Sequence, residues 1–426
     1  MGSSGASFRR FRPRLGPEGL IGGRRDPIIT PVTDEKDEAP SEPESADKPE
    51  AAEETPALPT TAPDDLPYDA VLLVSFGGPE SRADVMPFLE NVVRGKRVPK
   101  ERLLAVAEHY YALDGVSPIN AQNRALIEAL EAAFAEKGPE LPIYWGNRNW
   151  HPMLADTLQQ MKDDGIKRAV AIFTSAYSSY SGCRQYQENI AAAREQVGEG
   201  VPFVEKVRTF FNHPGFIDAV VARTEEALDE LPGQRRDASR IIFTAHSIPM
   251  VMAEHCDYEK QLHAVAEVVS ERVSKPEYQL VYQSRSGPPE VPWLGPDIVE
   301  HIEALGLIGT TDVVVVPIGF ISDHVEVIWD LDREAQEACA EQGIEMVRAK
   351  TVGTHPAFVE GLRQLVLEVT EGVEGKPPTV GPLPPRANPC APGCCDYPRP
   401  VRKKRPKPAE EETNEAPAAP EAEESE

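Results

Sequence analysis

From residue 68 onward, short unbroken apolar runs alternate with stretches whose apolar positions recur every three or four residues. YDAVLLVSFGG, LPIYWGN, KRAVAIFTSAYS, RIIFTAHSIP, YQLVYQSRSG and DVVVVPIGFISD have the look of strands. RALIEALEAAFAEKG, HPMLADTLQQMKDDG, FIDAVVARTEEALDEL, QLHAVAEVVSERVS, DIVEHIEALGLIG and VEVIWDLDREAQEACAEQG carry the helical period. A run such as VVVV has no polar alternation, so both of its faces must be buried. That is the condition of a strand in a parallel sheet covered by helices, and right-handed crossovers make the arrangement doubly wound. The series runs twice, which predicts an α/β protein of two doubly wound domains, 68–235 and 236–370, joined near LPGQRRDAS. Ligands of such sheets bind beyond the carboxyl ends of the strands. The segments SFGGP, TSAYSS, TAHSIP, QSRSGPP and GFISDH all follow strands directly.

Composition limits where that fold can extend. Residues 1–67 are rich in Pro, Glu, Asp, Ala and Thr and offer too little apolar surface to offset the entropy of ordering, so a disordered tail is expected. Residues 371–426, which pass through KPPTVGPLPPRANP, the basic VRKKRPKP and an acidic end, read as a second, mostly disordered tail with a cysteine cluster. The net charge of −26 argues against a nucleic-acid partner. FRRFRPR near the start resembles a basic leader, yet no apolar run of signal-peptide length follows it, which disfavours export. No stretch approaches the ~20 apolar residues of a membrane helix, so a soluble, cytoplasmic protein is expected. Three of the six cysteines crowd into PCAPGCCDY, a spacing unlike a secreted disulfide framework and suggestive of metal.

The strand-end segments carry a stronger message together. FTAHSIP and GFISDHVEVIWD, taken with VSFGGPE, GVSPINAQ, GNRNW and YQSRSGPPEVPWLGPD, resemble the ferrochelatase family over residues 69 to 365 or so. The resemblance implies two Rossmann-like domains with a porphyrin between them, and Fe(II) inserted into its centre during heme biosynthesis. That reaction strips water from the metal, removes two pyrrole protons and bends a stiff macrocycle, so bases and ligands must stand together. Imidazole and carboxylate serve both needs near neutral pH. His246 and Glu326 match the family's pair for Fe(II) and protons, with Asp323 and His324 as their hydrogen-bonded support. Read without the family, His246 is a loop histidine bonded to backbone. Asp323-x-x-Glu326 would likewise be a capping box with Asp323 as N-cap and Glu326 bonded back to it.

A porphyrin is a flat apolar disc with charged propionates, so aromatic walls and a few cations should line its cleft. Tyr144, Trp145, Trp150, Tyr177, Tyr180 and Trp293 fall near strand ends, although about half would serve equally as core aromatics. Ser117 and Tyr186 match positions that contact iron porphyrin in similar bacterial enzymes; alone they read as an N-cap and a surface aromatic. Arg94, Lys96, Arg97 and Arg148 are candidate propionate partners, or else a solvated basic loop. Some relatives carry Tyr where this chain has Phe76, which cannot ligate iron. The segment ENVVRGKRVPKERLLAVAEHYYALDG corresponds to a cleft lip that is apolar in mitochondrial relatives and is charged here. A charged lip suits the tetracarboxylate coproporphyrin III, giving coproheme, better than protoporphyrin IX, which is the alternative substrate. Transient contact with neighbouring heme-pathway enzymes is the partner expectation.

The resemblance also implies a possible [2Fe-2S] cluster held by Cys390, Cys394 and Cys395 with Cys183 as the fourth thiolate. Cys256 competes for that place. Cys339, inside a helical pattern, reads as a small buried apolar residue. Three rivals stand beside a ferrochelatase: a cobalt or nickel chelatase, a non-catalytic heme- or porphyrin-binding protein, and a two-lobed binding protein. A protein that only binds has no need of both His246 and Glu326.

Overall fold

A computed structural model describes residues 66–397 apart from Arg97 and Pro288. The FRRFRPR segment, nearly all of the expected N-terminal tail and residues 398–426 lie outside the described residues. Eight strands form two parallel four-stranded sheets. The first contains β1 Ala70–Ser75, β2 Ile143–Asn147, β3 Arg168–Phe173 and β4 Phe203–Lys206 in the order β2-β1-β3-β4. The second contains β5 Arg240–His246, β6 Tyr278–Gln283, β7 Asp312–Val316 and β8 Glu345–Arg348 in the order β6-β5-β7-β8. Both chains of connection reverse beside their first strand, which opens a crevice at the carboxyl ends of β1 and β5.

The period of two along each strand decides which core a side chain joins. Val71, Leu73, Val170 and Ile172 of the first sheet share one cluster with Ile241, Phe243, Val314 and Val316 of the second. Their neighbours in sequence point the opposite way. Ala70, Leu72, Val74, Ala169, Ala171 and Phe173 form the outer core of the first sheet, and Ile242, Val281, Val313 and Val315 that of the second. The inner faces of the two domains are therefore one continuous core. Polar groups cross it as well: the hydroxyl of fully buried Tyr177 donates to the Ile318 carbonyl at 3.0 Å, and Gln261 exchanges two bonds with Ser178, at 2.8 and 2.7 Å.

The last helix, Pro356–Thr370, follows the second sheet in sequence but packs on helices Pro214–Asp229 and Ile119–Lys137 of the first domain. Gly215 makes this return possible, because a Cβ there would lie 2.4 Å from the Ala357 carbonyl oxygen and 2.8 Å from the Gly361 Cα. Residues 371–397 hold no helix or strand and run along the first domain. Asn212 donates to the Leu383 carbonyl at 2.9 Å, Arg208 to that of Pro378 at 3.0 Å, and Asn388 to that of Lys206 at 2.6 Å. No helix among the described residues is long and apolar enough to cross a membrane.

Candidate active site

His246 is the last residue of β5, placed at the crevice by a strand whose preceding five residues are all buried. Its Nδ1 lies 2.5 Å from the Ser247 carbonyl oxygen, which can only accept, so Nδ1 carries the proton. Nε2 is thereby left as the working nitrogen. It stands 3.5 Å from Oε2 of Glu326, which reaches the same crevice from the turn after β7. The Nε2 of His324 approaches that oxygen to 3.4 Å, so the carboxylate sits between two imidazoles. His246 keeps 33 % and Glu326 47 % of its side chain open, as expected of groups that line a crevice.

This geometry sets the charges. Burial is the largest influence on His246 and would depress its pKa, but the hydrogen bond and charge of Glu326 outweigh it and hold the imidazole above its ordinary value. Burial would likewise raise the Glu326 carboxyl, but the two histidines hold it far below the usual carboxylate range. Asp330 goes the other way. Burial, followed by repulsion from Glu326 and Glu334, pushes its carboxyl up to about 7, although Ser284 and Gln283 donate to it. Asp330 lies in a π-helical segment, Ile328–Ala335, whose wide turn follows directly on Val325–Val327.

The capping box expected at Asp323-x-x-Glu326 does not form. The N-cap of helix Val325–Val327 is His324, with no side-chain cap bond. Asp323 turns instead to Arg348, and Glu326 to the two imidazoles. The helix is a bare three residues long, so its free amides compete poorly with two imidazole rings for the carboxylate. His324 touches Glu326 directly, and its Nδ1 is buried without a hydrogen-bond partner.

Across the crevice, Phe76 follows β1 and packs edge-on against Phe88, which also meets Tyr110 and Trp150. The guanidinium of Arg148 lies 5.7 Å from the Phe76 ring centroid and 4.5 Å from that of Tyr186. Tyr186 is buried and stacks on Phe173, while Ser117 is buried against Gly78. Partial burial, with the nearby Arg148 charge second, lowers the pKa of Lys96, so these two cations face one region. Arg94 is exposed in the turn after helix Val85–Val92, and Arg97 lies outside the described residues. Of the other aromatics, Tyr177 is core, Tyr144 bonds Asp164 and Trp145 bonds Asn147. Tyr180 packs on Tyr397, and Trp293 lies against Gly287. Helix Lys100–Tyr111 reaches from the first domain to the second. Its His109 ring stacks on Trp329 with centroids 4.0 Å apart, and Arg102 donates to the Ser286 carbonyl at 2.6 Å.

Cys183, buried in the π-helical turn Tyr180–Arg184, hydrogen-bonds Cys390, which in turn meets Cys394; the Cys394 and Cys395 sulfurs are 3.6 Å apart. These bonds hold Cys390 toward the thiolate and Cys183 toward the thiol. Arg386 donates to Cys394 Sγ at 3.2 Å. Cys256 bonds the Met252 carbonyl, and Cys339 is core. Among the described residues, no three His, Cys, Asp or Glu side chains are disposed to hold a single metal ion, and these cysteines are free thiols. A cavity of about 500 Å³ lies nearby, between β4 and residues 385–390, and contains neither His246 nor Glu326.

Comparison with known proteins places this site in context. Residues 68–370 match the family model described as Ferrochelatase. The chain is 55 % identical over 332 residues to a ferrochelatase of Rhodopirellula baltica, covering 78 % of this chain and 94 % of that one. It is 50 % identical over 365 residues to the coproporphyrin III ferrochelatase of Streptomyces coelicolor, covering 80 % and 96 %. To the enzyme of the same name from Mycolicibacterium smegmatis it is 48 % identical over 342 residues, covering 77 % and 99 %.

Proposed function

The chain belongs to the ferrochelatase family, enzymes that insert Fe(II) into a porphyrin, and on that premise we propose that its porphyrin is coproporphyrin III. The observation that carries the chemistry is the Glu326 carboxylate held between the His246 and His324 imidazoles. Fe(II) entering the crevice meets an imidazole nitrogen and a carboxylate oxygen, a donor set suited to that ion. Each pyrrole N–H gives up its proton as a bond to iron forms, so two protons leave for each metal bound. His246 Nε2 takes a proton, Glu326 steadies the resulting imidazolium, and Asp330, near pKa 7, offers the next acceptor along the π-helical segment.

Two observations support the tetracarboxylate substrate. The relatives from Streptomyces and Mycolicibacterium are coproporphyrin III enzymes, and Arg148 and Lys96 gather cationic charge beside the aromatic group of Phe76 and Tyr186. Ser117 and Tyr186 then lie along the porphyrin wall. The charged lip fits a cytoplasmic enzyme that takes its substrate from solution. Given anaerobic Fe(II) and each porphyrin separately, the protein should consume coproporphyrin III with a kcat/KM about tenfold higher, since each extra propionate paired at a surface is worth about 0.2–1 kcal/mol. Loss of free-porphyrin fluorescence measures this. A preference for protoporphyrin IX would overturn the substrate.

The thiol group supports a second element of the reading, a [2Fe-2S] cluster on Cys183, Cys390, Cys394 and Cys395. Four thiolates are the number required. Sulfurs sharing one tetrahedral metal lie ~3.7 Å apart for metal–sulfur bonds of about 2.3 Å, close to the Cys394–Cys395 separation of 3.6 Å. The cationic Arg386 beside Cys394 suits an anionic centre. Such a cluster crosslinks residues 371–397 to the first domain and takes no part in insertion. Protein prepared without oxygen should be coloured and contain iron and acid-labile sulfide, both lost in Cys390→Ser. A colourless, iron-free wild-type preparation rules the cluster out.

A further inference from the structure

We propose that Arg348 is a positioning residue for metal insertion, which holds the Glu326 carboxylate at its distance from His246 by bonding Asp323 and Asp332 together. Arg348 is the last residue of β8, and its side chain is 16 % exposed. Nη1 donates to Asp323 Oδ1 at 3.2 Å and to the Ala349 carbonyl at 3.4 Å. Nη2 donates to Asp332 Oδ2 at 2.9 Å, and Nε bonds the other oxygen of the same carboxylate. One guanidinium thus ties together two points of the chain that lie on either side of Glu326. Asp323 precedes the short helix that carries Glu326, and Asp332 lies in the π-helical segment beyond it.

The need for such a tie follows from charge. Asp323, Glu326, Asp330, Asp332 and Glu334 all fall within one short stretch of chain, and like charges at this spacing push the stretch apart. The cation within that stretch, Arg333, is occupied with Glu337 and the face of Trp329. The compensating charge comes from β8, and a planar fork can grip one carboxylate with two nitrogens while a third reaches the other. On the far side, the Asp323 amide donates to Oε1 of Gln122 in the first domain at 2.9 Å, so the turn is fixed from both domains. Among the described residues the Glu326 carboxylate meets two imidazoles, at 3.4 and 3.5 Å, so its position depends on the backbone beneath it, whose Glu326 carbonyl also accepts from Gln283 at 3.4 Å. Ligands must stay within about 0.5 Å of their working geometry, and that tolerance is what the tie supplies.

The proposal rests on the reading of Glu326 as the metal- and proton-handling carboxylate, and the experiment separates the two. Steady-state insertion is measured for Arg348→Met, Arg348→Lys, Glu326→Gln and the double variant Arg348→Met/Glu326→Gln, with thermal unfolding as the check on folding. Arg348→Met should raise the KM for Fe(II) and lower kcat, with a combined loss of about 10- to 100-fold. The KM for porphyrin should stay within about twofold, since nothing in the porphyrin wall is touched. Arg348→Lys keeps the charge but cannot bridge both carboxylates, so it should fall between Arg348→Met and wild type. In the Glu326→Gln background, Arg348→Met should cost almost nothing more, because a positioning residue has no effect once its target is gone. An unchanged KM for Fe(II) in Arg348→Met, or an equal loss in both backgrounds, overturns the positioning role. If Arg348→Met fails to fold, the same two criteria apply to Arg348→Lys. If Glu326→Gln inserts iron at the wild-type rate, the reading of Glu326 fails independently of Arg348.

Discussion

With His246 replaced by Ala, iron insertion should fall by about 10²- to 10⁴-fold while porphyrin binding changes little. The imidazole occupies a place that no neighbouring group can fill. Its Nδ1 proton is committed to the Ser247 carbonyl, its Nε2 faces Glu326, and its own carbonyl accepts from the Tyr258 hydroxyl at 3.1 Å. Removing the ring leaves Glu326 with a single imidazole partner, His324, and takes from the crevice the nitrogen best placed to meet metal or proton. The porphyrin wall proposed around Phe76, Arg148 and Tyr186 belongs to the other domain and should survive intact. Quenching of protein fluorescence by porphyrin gives the binding, and anaerobic turnover gives the insertion. Wild-type turnover in the variant would remove His246 from the reaction.

Glu326→Gln should lower the rate on the order of 10²-fold or more, and should also move its pH dependence in a defined direction. A neutral imidazole is the form that can accept a proton or bind metal, so on the acid side the rate rises with pH through the His246 pKa. In the wild type that midpoint lies above the ordinary value of 6.5. Burial alone would place it below, and the bond and charge of Glu326 are what lift it. Gln keeps the shape and discards the charge. Burial then governs, the imidazole loses its proton more easily, and the acid limb of the residual activity shifts to lower pH. An acid limb that stays in place in Glu326→Gln would show that another group titrates there.

Much of this was legible in the amino-acid order, for identifiable reasons. The VVVV of β7 and the IIF of β5 announce strands covered on both faces, and the segments after them carry His246 and Glu326. Wherever a residue's environment is made by its own strand, local pattern suffices. It fails where the environment comes from elsewhere. Arg348 lies 22 positions beyond Glu326 and reads as an ordinary end of a strand; β8 lying beside β7 is what brings it to Asp323. Asp330 looks like one acid among many on an amphipathic helix, and neither its burial nor the π-helical slip that places it leaves a periodic trace. Tyr177 and Tyr180 have similar strand-end positions in sequence, yet the first is sealed in the shared core and the second packs on Tyr397. Helix Pro356–Thr370 misleads in another way. Consecutive elements are usually neighbours in space, but this one crosses back, because Gly215 and Gly361 offer it a closer seat on the first domain.

The single core formed by the inner faces of both sheets has a mechanical consequence. Lobes joined through a large apolar contact do not swing like jaws, since each degree of opening would wet side chains such as Phe243 and Val314. The two domains then keep one fixed relation to each other. Helix Lys100–Tyr111 adds a second tie, since the stacking of His109 on Trp329 and the bond from Arg102 to Ser286 fasten it to the second domain.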